Sequence, residues 1–110
     1  MAQDFERNIA RNGGTSEVVL RTANSDDAIV GINIANVTTS QILMDVYITG
    51  AGDTVDYYII KDAPIPVGSA MHVLDGGAKI VMQSGDILNV QSDTASSADV
   101  WVSVVDAIST

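Results

Sequence analysis

Apolar and polar positions alternate with a period of two through most of this chain, a spacing that predicts strands rather than helices. The clearest run is Ile42–Thr49, where Ile42, Met44, Val46 and Ile48 share one side and Leu43, Asp45, Tyr47 and Thr49 the other. Upstream, residues 17–22 lead into the polar turn cluster Asn24-Ser25-Asp26-Asp27. Residues 28–36 follow, with Val30, Ile32 and Ile34 set against Gly31, Asn33 and Ala35. Gly50-Ala51-Gly52-Asp53 predicts a hairpin turn into a strand over 55–61 that is partly apolar on both sides. Pro64-Ile65-Pro66 predicts a stiff extended crossover, because each proline locks its own φ and pushes its predecessor out of the α region.

The last third is the most regular. Residues 70–74, 78–82 and 86–91, punctuated by Asp75-Gly76-Gly77 and Ser84-Gly85, predict a three-stranded meander with two tight turns. A polar loop over 92–98 precedes a closing strand over 99–106, in which Val100, Val102 and Val104 oppose Trp101, Ser103 and Val105. About eight strands at this spacing predict an all-β fold, an antiparallel β-sandwich with jelly-roll-like connections.

The segment 1–16 has a different character. Phe5 and Ile9 lie four apart, which suits one helical turn, but Asn12-Gly13-Gly14 breaks any helix too early for it to stand alone. The expected organisation is a flexible N-terminal arm over 1–16, or a first edge strand ordered on something else, attached to a β-sandwich domain over 17–110.

Composition narrows the function classes. At 110 residues the chain fits one domain, which buries roughly two-thirds of its unfolded surface and leaves little for an enclosed cleft. With no cysteine, neither a disulfide nor a thiolate site is available. No apolar stretch opens the chain as a signal peptide would, and no run matches a membrane span, so a soluble product made in the cytoplasm is expected. The net charge is −9, and segment 1–16 is neutral, so the remainder carries all of it. Such a body repels phosphate backbones and anionic lipid, which argues against nucleic-acid and membrane partners.

Candidate chemistry is sparse. His72 is the only histidine and has no evident orienting partner. No G-x-S-x-G elbow, H-E-x-x-H helix, Walker loop or paired-glycine fingerprint occurs, so no enzymatic activity is expected. Asp26-Asp27, Asp53 with Asp56, and Asp75 fall in turns. None has the alternating spacing of a calcium loop, so turn stabilisation is the expected role, with no metal and no cofactor. Trp101, with Tyr57 or Tyr58, offers aromatic surface for a glycan, although a tryptophan in a valine-rich strand is more often a core or interface residue.

One long stretch resembles a known family. It runs from Tyr57-Tyr58-Ile59-Ile60-Lys61-Asp62-Ala63-Pro64-Ile65-Pro66-Val67-Gly68-Ser69-Ala70 through Asp75-Gly76-Gly77-Ala78-Lys79-Ile80-Val81 and Ser84-Gly85-Asp86-Ile87-Leu88-Asn89-Val90-Gln91-Ser92. It ends on the small-residue loop Ala95-Ser96-Ser97-Ala98 and the strand Asp99-Val100-Trp101-Val102-Ser103. With Arg7-Asn8-Ile9, Gly14-Thr15 and Ile32-Asn33-Ile34-Ala35-Asn36, this is similar to small virion structural proteins of tailed bacteriophages, including phages of marine cyanobacteria. The likeness covers most of residues 7–106.

It implies a non-enzymatic, multi-copy virion protein that decorates or builds the capsid, neck or tail. The expected partners are further copies of itself, in a closed ring such as a trimer, and other virion proteins. Assembly contacts are expected at Phe5, Arg7, Ile9 and Arg11 in the neutral segment and at Tyr58 and Ile60 on the two-sided strand. The alternative from another class is a receptor- or glycan-binding module of a phage fibre, using Tyr58 and Trp101.

Overall fold

The computed structural model describes residues 4–52, 55–73 and 79–106. Among them are nine strands and no helix: β1 (Asp4–Gly13), β2 (Val18–Thr22), β3 (Asp27–Asn36), β4 (Ile42–Thr49), β5 (Asp56–Ile65), β6 (Ala70–His72), β7 (Ile80–Met82), β8 (Ile87–Ser92) and β9 (Ala98–Asp106). They form two sheets. A five-stranded sheet runs β1-β9-β3, with both β6 and β7 on the far edge of β3, and a four-stranded sheet runs β2-β8-β4-β5. Every pairing is antiparallel.

β6 and β7 are one strand position in two pieces. Asn33 lies opposite His72 and Ala35 opposite Ala70, while Ile29 lies opposite Ile80 and Asp27 opposite Met82. β6 takes the part of that edge beside Asn33–Ala35 and β7 the part beside Asp27–Ile29. Counting that edge once gives eight strand positions, with β9 inserted between β1 and β3 and β8 between β2 and β4. This is a jelly roll.

The core fills the space between the sheets with branched aliphatic side chains, whose stiff rotamers suit a pleated surface. Ile29, Ile32 and Ile34 of β3 meet Ile42, Met44 and Val46 of β4, Leu88 and Val90 of β8, and Val100, Val102 and Val104 of β9, all buried. The alternation in β4 is as its sequence predicts. In β3 it slips: a bulge between Ile29 and Gly31 turns Ile29 inward and leaves Val30 half-buried, so the inward set begins one residue early.

Three expectations change. First, residues 4–13 are not a free arm. β1 pairs with β9 from Asp4 opposite Asp106 to Ala10 opposite Val100, and Ser97 and Ser92 donate backbone N–H groups to the Gly13 and Gly14 carbonyls, both at 2.9 Å. It is an edge strand ordered on its own domain, so the 1–16 and 17–110 boundary does not separate two bodies. Second, the meander over 70–91 is absent. β6 and β7 pair with β3 rather than with each other, and β8 belongs to the opposite sheet. The Asp75-Gly76-Gly77 turn lies outside the described residues, whereas Ser84-Gly85 carries the chain between sheets. Gly85 sits at φ +94° there and donates to the Ala23 carbonyl at 2.7 Å. Third, β5 continues through Pro64, because an edge strand tolerates a missing donor.

A buried ionic cluster closes one seam between the sheets. Arg21 of β2 reaches across with its Nε donating to Asp27 at 2.8 Å, one Nη to Glu6 at 3.2 Å and Asn8 at 3.0 Å, and the other Nη to Asp106 at 3.3 Å. Ser25 Oγ adds bonds to Asp27 and Asp106. Burial works against the Arg21 charge, but the bonds to Asp27 and Glu6 outweigh it and raise its pKa further. One side chain thus ties β1, β2, β3 and β9 together.

Candidate assembly surface

The strand registers fix what the outer face of the five-stranded sheet presents. Because Val100, Val102 and Val104 point inward, the intervening residues of β9 and their cross-strand neighbours point out. One outward row is Phe5, Val105, Ala28 and Val81, and the next is Arg7, Ser103 and Gly31. Then come Ile9, Trp101, Asn33 and His72, followed by Asp99, Ala35 and Ala70.

Two properties stand out. Large apolar side chains remain in water: Phe5 is 86% exposed, Val81 60%, Ile9 52% and Trp101 50%. Along β3 the outward positions are small (Ala28, Gly31, Asn33 and Ala35), so a trough runs beside the Trp101 ridge. Its lower end is a groove of about 460 Å³ lined by Ile9, Arg11, Asn33, Ala35, Asp99 and Trp101. The Arg7 guanidinium lies over the Trp101 ring, 5.1 Å from its centroid. This contact places a cation between the row of Phe5 and the row of Trp101.

The opposite face, on the four-stranded sheet, is built differently. Tyr47 is buried there, donates to Glu17 at 2.6 Å and stacks obliquely on Tyr58 with ring centroids 5.0 Å apart. Lys61 stands 4.5 Å from the Tyr58 ring centroid and 4.0 Å from an Asp45 oxygen, and Asp45 accepts the Asp62 N–H at 2.7 Å. Burial first, and then the Glu17 carboxylate, hold the Tyr47 hydroxyl above its ordinary phenol value.

The expected contact residues therefore divide. Phe5, Arg7, Ile9 and Arg11 gather on one surface with Trp101. Tyr58 lies on the opposite outer face, so Tyr58 and Trp101 do not form one aromatic platform. Ile60 sits opposite core-facing Val46 and packs half-buried against the chain's own core. Sequence reasoning missed Val81 and the small-residue trough. Only the cross-strand register brings them beside Phe5 and Trp101, and strand propensity carries no register.

Neither a protein-family model nor a curated protein matches the sequence. Among solved structures, the chain is similar to part of one titled "Structure of infectious bursal disease virus Gx strain". Identity is 14% and the TM-score 0.47, over 98% of this chain and 30% of that one. This chain thus spans less than a third of the length of the chain it resembles.

Proposed function

We propose that the chain is a non-enzymatic structural protein of a virion, present in many copies, that docks through the outer face of its five-stranded sheet. The observation that carries this reading is the group Phe5, Ile9, Val81 and Trp101, each half or more exposed on one face. Apolar residues scattered singly need no explanation, but four large ones exposed on one sheet face, in the rows on either side of Arg7, mark a contact surface. The jelly roll supports the reading by analogy of fold alone, since the same architecture serves capsids, lectins and other roles. The likeness of residues 7–106 to small structural proteins of tailed bacteriophages supplies the finer proposal: a phage particle, with the chain on capsid, neck or tail.

The test is localisation. Antibody-gold labelling of gradient-purified particles should mark repeated positions at one site on each virion. Particles that carry no label, from cells that make the protein abundantly, would overturn the assignment.

One observation favours a second reading. The groove beside Trp101 sets an exposed indole among Asn33, Asp99 and Arg11, the combination of aromatic face and polar edges that saccharides use. Binding on a glycan array that Trp101→Ala abolishes would replace the structural reading with a receptor-binding one.

A further inference from the structure

We infer that the outer face of the five-stranded sheet takes as its partner the outer face of the four-stranded sheet of a second copy, so that copies join head to tail. The inference rests on the reading of the chain as a multi-copy assembly protein, and adds which surface of the second copy is engaged.

Charge decides it. The net charge is −9, so two copies repel unless the contact is locally complementary. Two of the five basic residues, Arg7 and Arg11, stand on the five-stranded face, where Asp99 is the acid between them and the trough. On the four-stranded side, the acids Glu17, Asp45, Asp56 and Asp62 outnumber Lys61, which pairs with Asp45. Face-to-face pairing of two identical four-stranded sheets would oppose acid to acid. Pairing of two five-stranded faces would oppose the arginines. The mixed pairing brings Arg7 and Arg11 toward four carboxylates, whereas a second five-stranded face offers them Asp99 against two further arginines.

Shape agrees. The acidic face offers Val19, 54% exposed, and Tyr58, 45% exposed, as apolar seats for Phe5, Ile9 and Trp101. The two longer dimensions of the molecule, 44 and 29 Å, leave room for the roughly 800 Å² that a stable contact takes from each partner. Sheets stack face to face about 10 Å apart, so the contact would add a further layer to the sandwich. A head-to-tail contact is heterologous, and closes into a ring when its rotation divides a full turn.

The experiment uses two full-length variants, read by native mass and sedimentation of purified protein, so virion location does not enter. Arg7→Glu with Arg11→Glu reverses one face, and Glu17→Lys with Asp56→Lys reverses the other. The wild type should sediment as a multi-copy species and each variant alone as a monomer. An equimolar mixture should recover multi-copy assembly, because the unchanged face of each variant meets the unchanged face of the other and the two reversed faces are again opposite in charge. A monomeric wild type at high concentration, a variant that assembles like wild type, or a mixture that stays monomeric would each overturn the inference, leaving the virion assignment to its own test. Should a double variant lose its β-sheet circular dichroism, Arg11→Gln and Asp56→Asn take its place. Each neutral change should weaken association about twofold to fivefold, and no change would count against the inference.

Discussion

The two outer faces of the sandwich are finished to different degrees. On the four-stranded side, most polar groups find partners within the chain: Tyr47 with Glu17, Thr49 with Asp56, the Asn89 amide nitrogen with Thr49, and the Asp62 amide with Asp45, although the buried Asn89 Oδ1 has none. Its aromatic rings lean on each other. On the five-stranded side, Phe5, Ile9 and Val81 project into water, and Trp101 is covered only in part. The larger share of exposed apolar side chains thus falls on the five-stranded face, while the four-stranded face keeps Val19 and Tyr58 in water. Between them lies the Arg21 seam, where charge is buried to hold the sheets in register. Side chains that serve the fold and side chains that await a partner are therefore separable by mutation.

The seam should give the largest effect on stability. Asp27 is fully buried and its carboxylate meets the Arg21 Nε at 2.8 Å. Arg21→Met removes the cation and leaves Asp27 charged in a dry site, which costs about 3–5 kcal/mol. Urea unfolding at neutral pH measures it. The double variant Arg21→Met with Asp27→Leu should recover much of the loss, because replacing both members of a buried pair by apolar groups is often neutral. If Arg21→Met alone is mild, the seam does not hold the sheets together.

How far all this is legible in the sequence varies along the chain. β4 is plain, because its strict alternation sets Ile42, Met44 and Val46 into the core, although Tyr47 of the other set is also buried, against the outer face. The closing strand is equally plain through Val100, Val102 and Val104. The sandwich class follows, since about eight such strands without a helix leave few other architectures. β1 is obscure: the polar run Glu6-Arg7-Asn8 breaks any alternation between Phe5 and Ile9, and whether such a segment pairs depends on the edge of β9, far away in sequence. The false meander has a similar origin. Ser84-Gly85 supplies the positive φ of a hairpin, but a hairpin and a switch between sheets use the same residues. What separates them is the long-range pairing of Met82 with Asp27 and of Ile87 with Thr22. The assembly surface is half visible for the same reason. Phe5, Arg7, Ile9 and Arg11 stand out as apolar and basic residues in a neutral segment. Val81 and the small residues of β3 gain meaning only once register sets them side by side.

The finished face should give the next effect. Tyr47→Phe deletes one bond from a buried hydroxyl and should cost about 1 kcal/mol at neutral pH. Its pH dependence sharpens the comparison. The folded protein holds the Tyr47 proton more tightly than the unfolded chain does, through burial and then Glu17. That contribution is complete below the ordinary phenol value of about 10, and is lost as pH rises toward the higher folded value. The stability gap between wild type and Tyr47→Phe should therefore close as urea titrations move above about pH 10. A gap that stays constant would mean that the hydroxyl contributes no proton linkage.

The smallest effect on stability is expected on the unfinished face, and it separates the two faces most sharply. Phe5 and Val81 are more exposed than buried in the single chain, so Phe5→Ser with Val81→Ser removes little that folding had gained. Each change should shift unfolding by no more than about 0.5 kcal/mol. The same pair should weaken association strongly. Covering a phenylalanine or valine contributes about 1.5–3 kcal/mol when the burial is complete, so losing even part of both lowers an association constant by at least about tenfold. Urea unfolding at a dilution where the protein is monomeric, set beside sedimentation at high concentration, reads the two quantities independently. A double variant that unfolds much more easily would show that Phe5 and Val81 serve the fold after all. One that unfolds normally and sediments like wild type would show that the apolar row takes no part in assembly.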